Sequence, residues 1–202
     1  KIERVGNIMI DSLEALRHSI EGKHLYLKYS LKKGDYGLVT MHRPSNVDSP
    51  SVLGELCKNL ICISKKIHII IIIHPRTLKN LNKYNLMHNV KQAKNLYLLN
   101  PLNYISFMNL VSNCRLVITD SGGLQEETTY LGIPCLTIRE NTERPITVQH
   151  RTNMLCKPEE ISNLVNSIIS DLNMKRQIPE KWDERTAHRV VRSIKRFLRE
   201  TC

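Results

Sequence analysis

The chain has 202 residues, of which 41% are hydrophobic and 24% are charged, so it can bury a sizeable core, and the disordered, collagen-like and mini-protein classes are excluded. Its formal net charge is +11, but the basic residues are spread along the chain and only two Phe and one Trp could stack on bases, which disfavours a nucleic-acid partner. The longest apolar run, residues 67–73, is far shorter than the roughly 20 residues of a membrane span, and no signal peptide is visible, so we expect no membrane partner.

The first predicted element is a helix over residues 8–20, where Met9, Leu13, Leu16 and Ile20 would share one face. Six short β-rich runs follow, and they are apolar enough to be buried on both faces of a sheet. These predicted strands are Gly37–Met41, Ile67–Ile73, Leu96–Leu99, Leu116–Thr119, Cys135–Ile138 and Asn153–Cys156.

Helical patterns separate the strands and cover residues 50–64, 77–87, 103–113, 122–131 and 158–171. Ser49 before Pro50 is typical of an N-cap followed by proline at the first helical position. Gly132 before Ile133-Pro134 is typical of a helix end.

The last segment predicts an amphipathic helix over 182–202. Arg185, Arg189, Arg192, Arg196 and Arg199 recur at steps of four and three and form one stripe. The opposite face carries apolar side chains at positions 190, 191, 194, 197 and 198. We favour a solvated basic face, and docking on a partner domain or an anionic surface is the alternative.

Alternating strands and helices predict an α/β fold with a doubly wound, parallel, Rossmann-like sheet. Ligands of such sheets bind beyond the carboxyl ends of the strands. Four polar loops would meet at that edge, namely His42–Asn46, His74–Thr77, Asp120–Gly123 and Arg139–Pro145.

The loop Asp120–Gly123 lies between a predicted strand and a predicted helix. Gly122 and Gly123 would let the backbone approach a ligand closely, and the free N–H groups of the first helical turn attract phosphate. Ser121 could cap the helix or donate its hydroxyl to the same phosphate. An ordinary strand-to-helix turn remains an equal alternative, and neither a dinucleotide fingerprint nor a Walker P-loop is present.

Charged side chains near this turn have both ligand-binding and structural interpretations. Glu126 and Glu127 would complement the helix dipole, or reach past a phosphate to sugar hydroxyls. Arg144 could hold a phosphate or carboxylate in its guanidinium fork, or pair with Glu140 or Glu143.

Two histidines, His42 and His74, directly follow predicted strands at the ligand edge. An imidazole there can donate to phosphate or transfer a proton, and matching positions on neighbouring strands favour the functional interpretation. Arg43 and Arg76 add positive charge to the same edge, although solvated arginines would give the same pattern.

Six cysteines occur at irregular spacing without a Cys-x-x-Cys motif, and four lie within apolar runs. This usage predicts buried, reduced thiols in a cytoplasmic protein. The remaining histidines lack metal-ligand spacing, so we predict no metal.

Several motifs, taken in order, resemble the C-terminal half of the UDP-N-acetylglucosamine 2-epimerase family, which has the GT-B fold. The motifs are Val5-Gly6-Asn7 with Ile10-Asp11, His42-Arg43-Pro44-Ser45-Asn46, His74-Pro75-Arg76-Thr77, Thr119-Asp120-Ser121-Gly122-Gly123-Leu124-Gln125-Glu126-Glu127, Leu131-Gly132-Ile133-Pro134 and Arg139 through Pro145. The resemblance covers essentially the whole chain. It implies a two-domain enzyme that interconverts UDP-GlcNAc and UDP-ManNAc, by anti elimination of UDP and re-addition, without a cofactor or metal.

The resemblance also assigns residues. Ser121, Gly122 and Gly123 would bind the diphosphate, Glu127 the ribose, and Phe107 with the backbone at Leu102 the uracil. Arg43, Arg144 and His74 would complete the UDP site, with His42 as the candidate catalytic residue on the phosphate side.

Because the chain begins with Lys1, we expect a piece of a longer protein. The resemblance then implies a hinge over residues 1–8, a UDP-binding domain over 9–181, and a terminal helix that crosses to an N-terminal domain carrying the catalytic carboxylates. Such a piece should bind UDP weakly and catalyse nothing, and a homodimer is a further expectation.

Other interpretations stay open. A hydrolysing epimerase or a GT-B glycosyltransferase would use a similar UDP-binding half, and a truncated, non-catalytic nucleotide-binding module is the alternative outside enzymes. Two departures from the family pattern are Arg151, where many relatives have glycine, and Glu184 after Trp182-Asp183. If that glycine needs a positive φ, the loop at Arg151 could differ.

Overall fold

The computed structural model describes residues 2–171 and 177–201. Within these residues six strands form one parallel sheet. They are β1 (Tyr36–Thr40), β2 (His68–Ile72), β3 (Leu96–Leu99), β4 (Leu116–Thr119), β5 (Cys135–Ile138) and β6 (Asn153–Cys156). All six predicted strands are confirmed, with β1 shifted by one residue and β2 shorter by one residue at each end.

Helices connect the strands and cover both faces of the sheet. They are α1 (Ile8–Ala15), α2 (Arg17–Glu21), α3 (Pro44–Val47), α4 (Pro50–Ser64), α5 (Pro75–Lys83), α6 (Met87–Gln92), α7 (Tyr104–Asn113), α8 (Gly122–Leu131), α9 (Pro145–Gln149), α10 (Ile161–Ser170) and α11 (Thr186–Thr201), with 3₁₀ turns at Leu25–Tyr29 and Pro158–Glu160. Ser49 caps α4 through its side chain, and Gly132 ends α8 at φ 68°, as predicted.

Three predicted helices differ from the structure. The helix over 8–20 is interrupted at Leu16, whose ψ of 0° is not helical. The helix over 77–87 is predicted too late and too long, because His74 caps α5 and Asn85 takes a left-handed φ of 57° that separates α5 from α6. The helix over 158–171 begins as a 3₁₀ turn and becomes α-helical only at Ile161.

The order of the strands is β3-β2-β1-β4-β5-β6. The chain winds outward in one direction from β1 to β3, then returns to the centre and winds the other way from β4 to β6. The switch therefore lies between β1 and β4, which pair in register from Gly37–Leu116 to Thr40–Thr119. Ligands of doubly wound sheets bind at this point.

Alternate side chains of the strands enter two separate cores. On one face Val39, Ile71 and Ile118 pack under α4 and α10. On the other face Leu38, Ile70 and Val117 pack under α1, α7 and α8. This burial on both sides is why the strands are apolar without alternation.

The C-terminal helix α11 begins at Thr186, later than predicted, and Cys202 lies outside the described residues. The arginines of the expected basic face are exposed except for Arg189, which is half-buried, and two of them make ion pairs. Arg189 donates from Nε to the carbonyl of Val5 (2.6 Å) and pairs with Asp183, and Arg196 pairs with Glu3. The exposed face also includes Val191 and Ile194, which are 51% and 53% exposed.

Five cysteines of the described residues are free thiols, and all of these except Cys62 are buried. Burial raises the pKa of Cys57 and Cys135 to about 11, so these thiols stay protonated and unreactive near neutral pH. Among the helices of the described residues, none combines the length and apolarity needed to cross a bilayer.

Candidate functional site at the sheet switch point

The loops after β1 and β4 meet at the switch point through one buried carboxylate. Asp120 is 0% exposed. Its Oδ2 accepts hydrogen bonds from the backbone N–H of Arg43 (2.8 Å), the backbone N–H of His42 (3.0 Å) and Nδ2 of Asn46 (3.1 Å). Its Oδ1 lies 3.0 Å from Nδ1 of His42. Sequence reasoning quoted Asp120 within a motif but assigned it no role, and its position at the end of a buried strand was the available signal.

The same loops are fixed by further contacts. Arg43 Nε donates to the backbone oxygen of Asp120 (2.9 Å), and Asn46 Nδ2 also donates to the carbonyl of Ile138 (3.0 Å) at the end of β5. The carboxyl ends of β1, β4 and β5 are thus joined by polar contacts. His42 keeps 42% of its side chain exposed.

The turn at Ser121 follows Asp120 directly in the chain and starts α8. Ser121 occupies the N-cap position with extended backbone, but within the described residues its hydroxyl makes no capping bond. The Ser121 hydroxyl therefore does not cap α8 in this structure, and it remains available to donate a hydrogen bond to a ligand. Gly123 also has a packing reason, because a Cβ there would lie 3.1 Å from the terminal methyl carbon of Met9 on α1.

Arg144 pairs with Glu126, not with the side chain of Glu140 or Glu143 as the structural alternative predicted. Its Nε lies 2.8 Å from Oε2 of Glu126, which is buried on α8. Glu143 pairs instead with Arg139, whose guanidinium lowers the pKa of that carboxyl to about 2. Glu126 also accepts a hydrogen bond from Nδ2 of Asn7 (3.0 Å). The position of Glu126 in the first turns of α8 does not predict these two contacts, because Asn7 and Arg144 lie outside that helix in the sequence.

A buried polar network supports the backbone of Arg144. The N–H of Arg144 donates to Oγ1 of Thr142, and Thr142 Oγ1 donates to Oε1 of Gln125 (2.6 Å). Asn153 Nδ2 donates to the same Gln125 oxygen (2.9 Å) and to Oγ1 of Thr147 (3.1 Å). Gln125, Thr147 and Asn153 are each at most 1% exposed. The network fixes the loop before α9 against α8.

Glu127 is buried at 6% exposure, so it does not simply complement the helix dipole from solvent. Its Oε1 accepts a hydrogen bond from the Tyr104 hydroxyl (2.8 Å) at the start of α7. Burial raises the pKa of the Glu127 carboxyl, an effect that the Tyr104 bond opposes in part. Leu102 and Phe107 are partly buried and pack against the core beneath α7 and α8.

His74 lies beside His42, with ring centroids 5.4 Å apart, as expected for residues that end neighbouring strands. Its Nδ1 accepts the backbone N–H of Arg76 (3.2 Å) and so caps α5. Arg76 is not a free cation at this edge, because it pairs with Asp48. The described residues contain no cluster of three or more His, Cys, Asp or Glu side chains that could hold a metal.

The strand order and the ligand edge at β1 and β4 define a Rossmann-like α/β domain of the GT-B type. A sequence profile described as UDP-N-acetylglucosamine 2-epimerase matches residues 1–195, and the chain therefore belongs to the UDP-N-acetylglucosamine 2-epimerase family.

Individual relatives agree. A UDP-N-acetylglucosamine 2-epimerase of Methanococcus maripaludis is 38% identical over 176 residues, covering 84% of this chain and 48% of the relative. The structure of the UDP-GlcNAc 2-epimerase from Methanocaldococcus jannaschii superposes with a TM-score of 0.84 at 33% identity, covering 96% of this chain and 56% of that one. A second structure of the M. jannaschii enzyme, in complex with UDP-GlcNAc and UDP, gives a TM-score of 0.80 at 33% identity over 96% and 55% of the two chains. The chain spans about half the length of the relatives it matches.

Proposed function

We propose that this chain binds the UDP part of a UDP-sugar and serves as the nucleotide-binding half of a UDP-GlcNAc 2-epimerase. The observation that carries the proposal is the uncapped Ser121 helix start at the switch point. Helix starts of this kind bind phosphate through backbone N–H groups. The M. jannaschii relative with UDP-GlcNAc and UDP bound, which matches 96% of this chain, supports the assignment of the nucleotide.

Within this proposal each part of UDP has partners. The diphosphate lies against Ser121, Gly122 and Gly123. Arg43 and Arg144 are the cations that the proposal assigns to it, and His74, which lies beside His42, completes the site. Arg144 keeps 38% of its side chain exposed, and its Nε is paired with Glu126 by charge alone, so its guanidinium can still meet an anion.

The nucleoside has partners on the other side of the turn. The Glu127 carboxylate accepts hydrogen bonds from the ribose hydroxyls, and the uracil lies by Phe107 and the backbone of Leu102. Glu127 and Tyr104 are already hydrogen-bonded to each other, which joins the starts of α7 and α8 where the nucleoside would lie.

The proposed reaction is the interconversion of UDP-GlcNAc and UDP-ManNAc by elimination and re-addition of UDP. Residues of this chain stabilise the negative charge that develops on the departing diphosphate, and His42 is the candidate catalytic group. A further domain supplies the carboxylates that move the proton at C2, residues 5–7 act as the hinge, and α11 crosses to that domain. The buried thiols support a reducing, cytoplasmic setting.

Calorimetric titration of the chain with UDP at fixed salt tests this function, with UMP and ADP as controls. We expect UDP to bind more tightly than both, because the site would contact the uracil and both phosphates. Equal binding of ADP would reduce the site to a generic phosphate site. If UDP does not bind the chain, the non-catalytic module becomes the better interpretation.

Variants locate the site. Arg144→Ala and Glu127→Ala should each weaken UDP binding by roughly one to two orders of magnitude, because a hydrogen bond to a charged group contributes about 1.5–3 kcal/mol. Arg115→Ala is the matched control for charge, since Arg115 precedes β4 at the opposite edge and donates to the carbonyl of Ile168. Unchanged affinity in both site variants, with circular dichroism showing a retained fold, would contradict the site assignment.

A further inference from the structure

The contacts of Asp120 divide between its two oxygens. Three N–H groups converge on Oδ2, from the backbones of His42 and Arg43 and the side chain of Asn46, at 2.8–3.1 Å. The other oxygen, Oδ1, lies 3.0 Å from Nδ1 of His42. Oδ1 also accepts the backbone N–H of His42 at 3.2 Å, and Nδ1 of the imidazole is the nitrogen that lies nearest to it.

We propose that Asp120 is a positioning residue that sets the tautomer of His42. An ionised carboxylate only accepts hydrogen bonds, so the ring nitrogen that faces Oδ1 must carry a proton. In the neutral ring the proton is then on Nδ1, and Nε2 is the unprotonated nitrogen. Because the half-exposed ring is held at Nδ1, Nε2 is the nitrogen that can accept a proton from a ligand or return one.

His74 provides an internal comparison, because its contact requires the opposite tautomer. Nδ1 of His74 accepts the backbone N–H of Arg76 (3.2 Å), so this nitrogen must be unprotonated and Nε2 must carry the proton in the neutral ring. Two imidazoles whose centroids are 5.4 Å apart thus differ in which nitrogen is protonated. A general preference of exposed histidines for one tautomer would not produce this difference.

The same geometry predicts what Asp120→Asn does. Three N–H donors point at the Oδ2 position, so the amide oxygen of the asparagine should occupy it and the amide NH₂ should take the place of Oδ1. Nδ1 of His42 would then face a donor and could only accept. The neutral ring should therefore move its proton to Nε2, and the nitrogen available to a ligand would lose its lone pair.

Nitrogen-15 NMR of the labelled chain at a pH where the histidines are neutral measures this directly. His42 is assigned by the signals that disappear in His42→Gln. In the wild type we expect protonated Nδ1 for His42 and unprotonated Nδ1 for His74. In Asp120→Asn the two nitrogen signals of His42 should exchange positions while those of His74 stay where they are.

Asn46→Ala is the matched control, because it removes one donor from the same buried carboxylate without touching the imidazole. If Asp120 only stabilises the loop, both variants should disturb His42 alike, and that result would overturn the inference. An unprotonated Nδ1 of His42 in the wild type would overturn it too, even if Asp120→Asn fails to fold. The role of Nε2 towards a diphosphate rests on the proposed function, but the tautomer of His42 does not. A negative UDP titration would therefore contradict the proposed function alone, and a negative NMR result would contradict the tautomer alone.

Discussion

At the scale of single residues, Arg151 shows that the backbone can keep a conformation that its side chain disfavours. The family resemblance leads us to expect glycine there and leaves open whether the loop changes. Arg151 has φ 56°, in the left-handed region, so the loop retains the geometry that suits glycine. Its N–H bonds to the carbonyl of Val148, which closes the turn after α9.

Arg151→Gly should therefore stabilise the protein by about 1 kcal/mol, because a residue with a Cβ is strained in this region and glycine is not. Urea unfolding measures the change. The control is Lys157→Gly, at φ −88°, where the extra freedom of glycine in the unfolded chain should lower the free energy of unfolding. Loss of stability in Arg151→Gly would show that the arginine side chain outweighs the strain.

Glu127 gives a pH dependence of known sign. Its pKa in the folded protein is raised above the ordinary value of 4.5, chiefly by burial, so between these two values the folded state binds more protons than the unfolded state. Its contribution to the free energy of unfolding therefore falls as pH rises through that window.

Comparing wild type with Glu127→Gln by urea unfolding from about pH 4 to 8 isolates this effect, because the variant cannot titrate there. The wild type should lose stability relative to the variant as pH rises above 4.5. A difference that stays constant, or changes in the opposite direction, would mean that Glu127 is not desolvated in the folded protein.

Residue roles were only partly predictable from the sequence. The helix start at Ser121 and the neighbouring positions of His42 and His74 follow from strand ends, which apolar runs locate well. Partners such as Glu126 for Arg144 depend on where distant loops meet, so local spacing pointed to Glu143 instead. Asp120 had no local signal beyond its position at a strand end.

At the scale of elements, the amino-terminal segment is fixed by the region before and within α11. Gly6 has φ 113°, and a Cβ there would collide with the carbonyl oxygen of Lys181 and lie 2.7 Å from Oγ1 of Thr186. Asp11 accepts hydrogen bonds from the N–H groups of Thr186 (3.2 Å) and Ala187 (2.8 Å). The start of α11 is therefore capped by a side chain from α1.

Gly6→Ala should destabilise the protein by about 3 kcal/mol or more, since a strained φ and a collision with backbone act together. Gly34→Ala separates the two effects, because Gly34 has φ 82° but, among the described residues, no neighbouring atom lies within 4 Å of the position that its Cβ would take. That control should cost only about 1–2 kcal/mol. Equal losses in thermal unfolding would mean that the segment moves aside and the packing at Gly6 is unimportant.

Secondary-structure elements were predicted best where they are buried on both faces. The strands lie between two cores, so their composition alone located them, whereas the break between α5 and α6 depends on a single left-handed residue, Asn85. The short helices α3 and α9 each begin with proline at the first position, a signal that was present but lies in segments too short for periodicity. The basic stripe of α11 is largely exposed as expected, but the contacts of Arg189 with Val5 and of Arg196 with Glu3 could not be predicted, because these partners come from the other end of the chain.

At the scale of the whole molecule, the fold class followed from alternation of elements, and the four polar loops do follow β1, β2, β4 and β5 at one edge. The strand order could not be read from the runs themselves, since any parallel order buries them. It is this order that sets β1 beside β4 and brings His42 to Asp120. The contact between His42 and Asp120 therefore depends on the strand order, which the composition of the single strands does not determine.

Glu126 accepts a hydrogen bond from Asn7 and forms an ion pair with Arg144, so a single carboxylate contacts both the amino-terminal segment and the proposed anion site. Within the proposed function, an anion that draws Arg144 away from Glu126 would leave Asn7 as the remaining partner of that carboxylate. Thermodynamic reciprocity then requires the converse: whatever alters the position of Asn7 changes the affinity of the anion by the same factor. The position of the segment before α1 and the binding of an anion at the ligand edge would then be thermodynamically coupled.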